Sequence, residues 1–157
     1  MSAVMKDEMR DQPRFGRMLT ADLDEVIEIE RAVYSHPWTR GNFVDSLNAG
    51  YRCSTCRIGP ELVGYFILIV AVGEAHLLNL SVSASRHRQG IGSMLLREAL
   101  RVAREKKAQH LFLEVRPSNA AGLALYDAFG LRRIAERRGY YPAHVEREDA
   151  LVLTIDL

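Results

Sequence analysis

The chain has 157 residues, 48% of them hydrophobic and 26% charged, about one domain of ordinary globular composition; disorder and collagen-like repetition are excluded. Lys and Arg number 21 against 20 Asp and Glu, a formal net charge of +1 that is too balanced for a general nucleic-acid coat or a membrane-surface protein. Any anion site must therefore be local.

Met1–Pro13 is polar and of mixed charge, with no apolar run that could act as a secretory signal. It reads as a short flexible tail (1–13) before one domain over 14–157. Arg14–Leu19 is the first predicted strand. Thr20 or Asp22 then caps a helix whose apolar positions Leu23, Val26, Ile27 and Val33 recur at helical spacing. Pro37 biases His36 away from helix and ends it, and Thr39 caps a second short helix through Phe43, Val44 and Leu47. Tyr51–Ile58, Leu62–Val72 and Ala75–Ser83 follow as strands, joined by turns at Gly59-Pro60 and Gly73-Glu74, so an antiparallel meander is expected. Leu62–Val72 is the longest apolar stretch, far short of the roughly 20 residues that cross a bilayer.

Cys53 and Cys56 form a C-x-x-C, but zinc usually takes four ligands and the sequence offers no second Cys pair and no H-x-x-x-H. On a strand, positions i and i+3 face opposite ways, so the pair reads as separate thiols in a reducing cytoplasm, and no metal is expected.

The second half changes character. Gly90–Glu105 divides on a helical wheel into an apolar side (Ile91, Leu95, Leu96, Ala99, Leu100, Val102, Ala103) and a charged side (Arg97, Glu98, Arg101, Arg104, Glu105). Gln109–Val115 is a strand, Asn119–Phe129 a helix closed by Gly130, and Leu131–Tyr140 and Ala150–Leu157 are two last strands around a polar loop. A strand, a helix and a further strand of these lengths imply a parallel crossover beside the meander. The expected class is α/β with a mixed sheet.

Between the third meander strand and the amphipathic helix lies Ser83-Ala-Ser-Arg-His-Arg-Gln-Gly-Ile-Gly-Ser93. The first turn of a helix presents N–H groups without internal partners at the positive end of the helix dipole. Gly90 and Gly92 carry no Cβ, so a bulky anion can approach the backbone, and Arg86 and Arg88 add charge, each dipole-assisted contact contributing roughly 0.3–2 kcal/mol. This arrangement suits a pyrophosphate. It is not the dinucleotide fingerprint G-x-G-x-x-G, because Leu95 stands at the third glycine, and the Gly-Lys-Ser/Thr of a P-loop is absent.

His87-Arg88-Gln89-Gly90-Ile91-Gly92 resembles the acetyl-CoA signature of the GNAT N-acetyltransferases, Arg/Gln-x-x-Gly-x-Gly/Ala, with His87 departing at the first position. The resemblance covers about Arg14 to Leu157. Ile29–Trp38, Glu114–Ala121, Ala124-Leu-Tyr126 and Arg138-Gly-Tyr-Tyr-Pro142 are similar to the ribosomal-protein-alanine branch (RimI type), which acetylates the N-terminal alanine of a small-subunit ribosomal protein. It implies a GNAT fold, a mixed sheet of about seven strands with about four helices. Acetyl-CoA would lie in a splay between the fourth and fifth strands. The Leu80-Ser81-Val82 backbone would meet the pantetheine arm; Arg88, Gln89, Gly90, Ile91, Gly92 and Ser93 would hold the diphosphate; Asn119 would touch the cofactor.

Acetyl transfer to an amine has two chemical needs. Only the neutral amine attacks a thioester, and an α-amino group, with a pKa of about 7.7–8.0, is far closer to neutral than a lysine at about 10.4. A base on the amine side and an acid beside the departing thiolate therefore suffice. Glu114 and Tyr126 suit these roles, and the resemblance places base and acid on them; the base can act through a water. Glu114 lies in the otherwise apolar Leu111–Val115, where burial would raise its pKa. It reads equally as a carboxylate paired with an arginine at the sheet's edge, and Tyr126 as a core residue. Asn119 or, as the stronger candidate, Ser118 caps the helix.

The family places the acceptor peptide between the Pro37-Trp38 loop and Tyr140-Tyr141-Pro142 with the loop Ala143–Asp149, and Glu28 and Glu30 could attract a basic acceptor. The expected protein is thus a cytoplasmic acetyl-CoA-dependent enzyme with a ribosomal-protein N-terminus as partner, without metal, nucleic acid or membrane. The alternatives are a GNAT enzyme acting on other N-termini, lysines or small amines, and a non-catalytic acyl-CoA-binding module.

Overall fold

The structure, a computed structural model, describes Ala3, residues 12–141 and residues 148–157, with only the backbone at residues 138–141 and 148. Of the tail expected over residues 1–13, residues 1–2 and 4–11 lie outside the described residues and Pro13 already opens the first strand; of the polar loop expected over residues 143–149, residues 143–147 lie outside them. Among the described residues from 12 onward there are seven strands and four α-helices: β1 (Pro13–Arg17), α1 (Leu23–Val33), α2 (Arg40–Asn48), β2 (Arg52–Ile58), β3 (Glu61–Ala71), β4 (Glu74–Val82), α3 (Ile91–Glu105), β5 (His110–Val115), α4 (Ala120–Ala128), β6 (Arg132–Tyr141) and β7 (Glu148–Asp156). The sheet runs β1-β2-β3-β4-β5-β7-β6. β1 and β2 are antiparallel, β4 and β5 parallel, and β7 is antiparallel to both β5 and β6, so the α/β mixed sheet expected from the sequence is present. No helix among the described residues is long and apolar enough to cross a membrane.

The chain forms two compact units. The first runs to Ile67 and includes Asn79–Leu95; the second comprises Leu68–Leu78 and Leu96–Leu157.

In the first unit, α1 buries Leu23, Val26, Ile27 and Ile29, and Glu30 goes inside with them. Neither Thr20 nor Asp22 caps this helix with its side chain. A 3-10 turn spans Thr20–Asp22, and the Asp22 carboxylate reaches back to accept the Leu19 N–H at 2.7 Å while pairing with Arg57 at 2.8 Å. α2 starts as its sequence requires: Thr39 Oγ1 accepts the Asn42 N–H and the Asn42 side chain accepts the Thr39 N–H, closing a reciprocal cap. Trp38, Phe43 and Tyr65 form an aromatic run with centroids 5.2 and 5.8 Å apart, and Phe43 and Tyr65 are fully buried. Gly64 permits a close approach. A Cβ there would lie 2.8 Å from both Leu95 Cδ1 and the Ser81 carbonyl oxygen, so a glycine lets the start of α3 settle against β3 beside the end of β4. Cys53 and Cys56 are buried free thiols, and burial pushes each pKa up to about 11.

In the second unit the hairpin between β3 and β4 turns at Val72-Gly73, one residue earlier than expected, with φ of 51° and 77°. Two left-handed residues make the tight reversal that matches strand twist, and the exposed Val72 accepts a conformation that β-branched residues seldom adopt. β4 pairs with β5 through Glu74↔His110, Ala75↔Leu111 and His76↔Phe112, and β5 pairs with β7 along its whole length. Helix α4 closes with a Schellman motif: Leu131 N–H donates to the Tyr126 carbonyl, Gly130 N–H to that of Asp127, and Gly130 takes φ 84°. Asn119, not Ser118, caps its start. Asn119 Oδ1 accepts the Gly122 N–H at 2.9 Å, because Asn119 is the residue directly before the first helical position.

Candidate active site

The residues singled out for the acyl carrier, Asn119 excepted, lie in the first unit. β4 ends at Val82, and Ser83 N–H donates to the Val63 carbonyl at 2.8 Å. A 3-10 turn at Ala84–Arg86 leads to Arg88 and Gly90, whose φ angles are 64° and 80°. Gly90 takes this left-handed shape without steric cost, and its carbonyl accepts the Met94 N–H at 3.1 Å, making Gly90 the residue before the helix. The N–H groups of Ile91, Gly92 and Ser93 then have no carbonyl of their own helix to reach. Nothing lies within 4 Å of where a Cβ would sit on Gly90, so the approach to this turn is open. An open left-handed turn at a helix start is what a phosphate needs, and the residues fit the diphosphate of coenzyme A.

The flanking charge divides differently from the sequence reading. Arg86 pairs with Glu61 at 2.6 Å, so its charge is largely answered within the protein. Arg88 makes no ion pair among the described residues. His87, at the position where the family signature has Arg or Gln, stays exposed and bends back to the strand end: its Nε2 lies 2.9 Å from the Val82 carbonyl oxygen. A carbonyl can only accept, so Nε2 carries the proton there. Tyr34 Oη donates to the Leu80 carbonyl at 2.9 Å. Each of these two β4 carbonyls keeps a second lone pair for a ligand amide.

Beneath them runs a buried chain of polar groups that the sequence reading missed. Ser81 Oγ donates to Asn79 Oδ1 at 2.7 Å, Asn79 Nδ2 to Glu30 Oε1 at 2.6 Å, and Tyr65 Oη to Glu30 Oε2 at 3.2 Å. Glu30 is 1% exposed, and burial pushes its pKa up to about 7 against the pull of Asn79, Tyr65 and the Trp38 N–H. It cannot serve as surface attraction for a basic acceptor. The spacing of Val26, Ile27 and Glu30 on one helix stripe was the available signal. Glu28 is exposed and lines a shallow groove of about 500 Å³ with Asp24, Ile27, Arg31, Ala32 and Arg40.

Glu114, Asn119 and Tyr126 lie in the second unit. Tyr126 is buried within α4. Asn119 spends its carbonyl oxygen on the helix cap, which leaves the amide donors of that side chain for other partners. Glu114 projects from β5 opposite Val152 of β7, with 13% of its side chain exposed. His76 Nε2 of β4 lies 2.6 Å from its Oε2, and Arg137 of β6 lies 3.2 Å from its Oε1. The expected rise in its pKa is therefore corrected. The hydrogen bond from His76 outweighs desolvation, and with the charge of His76 and Arg137 it holds the carboxyl below the ordinary range. Glu114 is thus the arginine-paired carboxylate that the sequence also allowed, with a histidine added.

The sequence pattern of the acetyltransferase (GNAT) family matches residues 23–131. The chain is 32% identical over 138 residues to the [ribosomal protein bS18]-alanine N-acetyltransferase of Escherichia coli K12, covering 88% of this chain and 93% of that one. The crystal structure of the ribosomal-protein-S18-alanine N-acetyltransferase from Escherichia coli superposes with a TM-score of 0.85 at 30% identity, over 92% of this chain and 94% of the other. The same fold occurs in the PaiA N-acetyltransferase of Thermoplasma acidophilum in complex with coenzyme A, with a TM-score of 0.76 at 16% identity over 93% of this chain and 99% of that one.

Proposed function

The chain belongs to the acetyltransferase (GNAT) family, and we propose that it moves the acetyl group of acetyl-CoA to the N-terminal alanine of a small-subunit ribosomal protein in the cytoplasm. The observation that carries this reading is the extent of its likeness to the Escherichia coli alanine acetyltransferase, close to the full length of both chains. The family match itself takes in the turn before α3, Glu114, Asn119 and Tyr126.

The chemistry follows from the residues present. The Leu80-Ser81-Val82 backbone receives the pantetheine arm, Arg88, Gln89, Gly90, Ile91, Gly92 and Ser93 receive the diphosphate, and Asn119 contacts the cofactor. Glu114 takes a proton from the acceptor's ammonium, directly or through a water. The freed lone pair attacks the thioester carbonyl, the C–N bond forms and the C–S bond breaks. Tyr126 protonates the departing thiolate, and the proton the nitrogen sheds on becoming an amide restores Tyr126 by way of solvent. The low pKa of Glu114 suits an α-amine better than a lysine, because the α-amine is already about a tenth neutral near pH 7.

The test is intact-mass analysis of peptides incubated with acetyl-CoA. One peptide begins with free alanine, one has that amine blocked but carries a lysine, and fragment mapping locates the added acetyl group. Acetylation at the alanine nitrogen is expected; acetyl found only on lysine, or on neither peptide, refutes the assignment.

A further inference from the structure

We propose that His76 is the positioning residue of the transfer base, fixing one oxygen of Glu114 so that the other, held more loosely by Arg137, turns its remaining lone pair to the acceptor amine. The inference rests on the acetyl-transfer reading above and adds to it a residue which neither the family signature nor the sequence chemistry called for.

The geometry is specific. His76 pairs in register with Phe112, two residues before Glu114 on the same face of β5, so its ring lies on the diagonal toward the carboxylate. The rings of His76 and Phe112 stack, with centroids 4.3 Å apart and planes 20° from parallel, which leaves the imidazole little freedom to turn away. Its Nε2 then meets Glu114 Oε2 at 2.6 Å, both side chains being mostly buried. The contact is that of a charge-assisted hydrogen bond. The carboxylate can only accept, so Nε2 carries the proton and His76 acts as donor in its neutral form as well as its charged one. Arg137, half exposed on β6, holds Oε1 more loosely at 3.2 Å. On β7 the residue in register with Glu114 is Val152.

The arrangement gives His76 a consequence that a packing residue would not have. Its Nε2–H holds the carboxylate by a hydrogen bond, so a side chain that keeps a donor keeps the base oriented, and one that keeps only bulk lets it turn.

Two variants separate orientation from packing. His76→Gln keeps an amide donor; His76→Leu keeps bulk alone. With saturating acetyl-CoA and an alanine-initiated peptide, kcat at pH 8 should fall about 30-fold for Leu and about 3-fold for Gln. KM for acetyl-CoA should stay within twofold in both. A Leu variant within twofold of wild type in kcat, or a Gln variant no better than Leu, overturns the proposal. Should either variant fail to fold, the Nε2–H proton resonance of His76 decides: it should lie downfield in wild type and move upfield in Glu114→Gln, and an unmoved resonance overturns the proposal. A wild-type chain that acetylates no N-terminus refutes the functional reading instead, while that resonance still reports on the His76–Glu114 pair.

Discussion

Two carboxylates, one buried and one half-buried, carry opposite lessons. Glu30 is closed off in the first unit among neutral donors, Asn79, Tyr65 and the Trp38 N–H, and its pKa rises to about 7. Glu114 is less enclosed, meets His76 and Arg137, and its pKa falls. Burial sets the direction only where no cation shares the site. A proton-binding carboxyl near neutrality is therefore a structural group here, and the candidate base is the one held ionised.

The largest expected effect breaks the comparison on the functional side. Glu114→Gln should lower kcat about 100-fold while leaving the fold intact, because it removes the proton acceptor and keeps the shape. Glu30→Gln should leave kcat within about fivefold, since the amide mimics the protonated acid. A rate loss larger for Glu30 than for Glu114 would reverse the assignment.

Stability against pH sharpens the contrast, because the signs oppose. Between about pH 4.5 and 7 the folded chain keeps a proton on Glu30 that the unfolded chain has released, so this group destabilises the fold as pH rises, by on the order of 3 kcal/mol. Glu30→Gln removes that decline, and the variant should gain on wild type from pH 5 to 7.5 in urea titrations. Glu114 works the other way. Its folded pKa is depressed, so its contribution is complete above the unfolded value and is lost as pH falls through the folded one. Glu114→Gln should be less stable than wild type at pH 7.5, with the gap closing in acid. Parallel slopes in the two variants would contradict the account of both groups.

Smaller effects test the scaffolds around each region. Gly64→Ala should cost about 1–3 kcal/mol in unfolding experiments, because its Cβ would press on the Ser81 carbonyl and Leu95, and should weaken coenzyme A binding measured by calorimetry. Asn119→Ala removes the α4 cap and should cost about 1 kcal/mol, read as a lower thermal midpoint.

The two regions also differ in how far they could be read from the chain. The turn at Arg88–Gly92 is built from backbone: a strand end, two glycines and an amphipathic helix follow one another within a few residues, and local order is enough to place them. The Thr39 cap and the Gly130 helix stop were legible for the same reason. The chemistry of Glu114 was not, because its partners come from 38 residues earlier and 23 residues later and meet only through strand register. Glu30 could have been recognised by its place on the apolar stripe of α1, but Asn79 and Tyr65 reach it from separate strands. Where two neighbours could do one job locally, as with Ser118 and Asn119 at the start of α4, position relative to the first helical residue decided, and propensity did not separate them.

The central claim, that an ionised Glu114 takes the proton from an N-terminal amine during acetyl transfer, is tested most directly by single-turnover transfer from acetyl-CoA to an alanine-initiated peptide at pH 8. The account predicts a rate about 100-fold higher in wild type than in Glu114→Gln, with equal coenzyme A affinity in the two proteins. Equal transfer rates would contradict it.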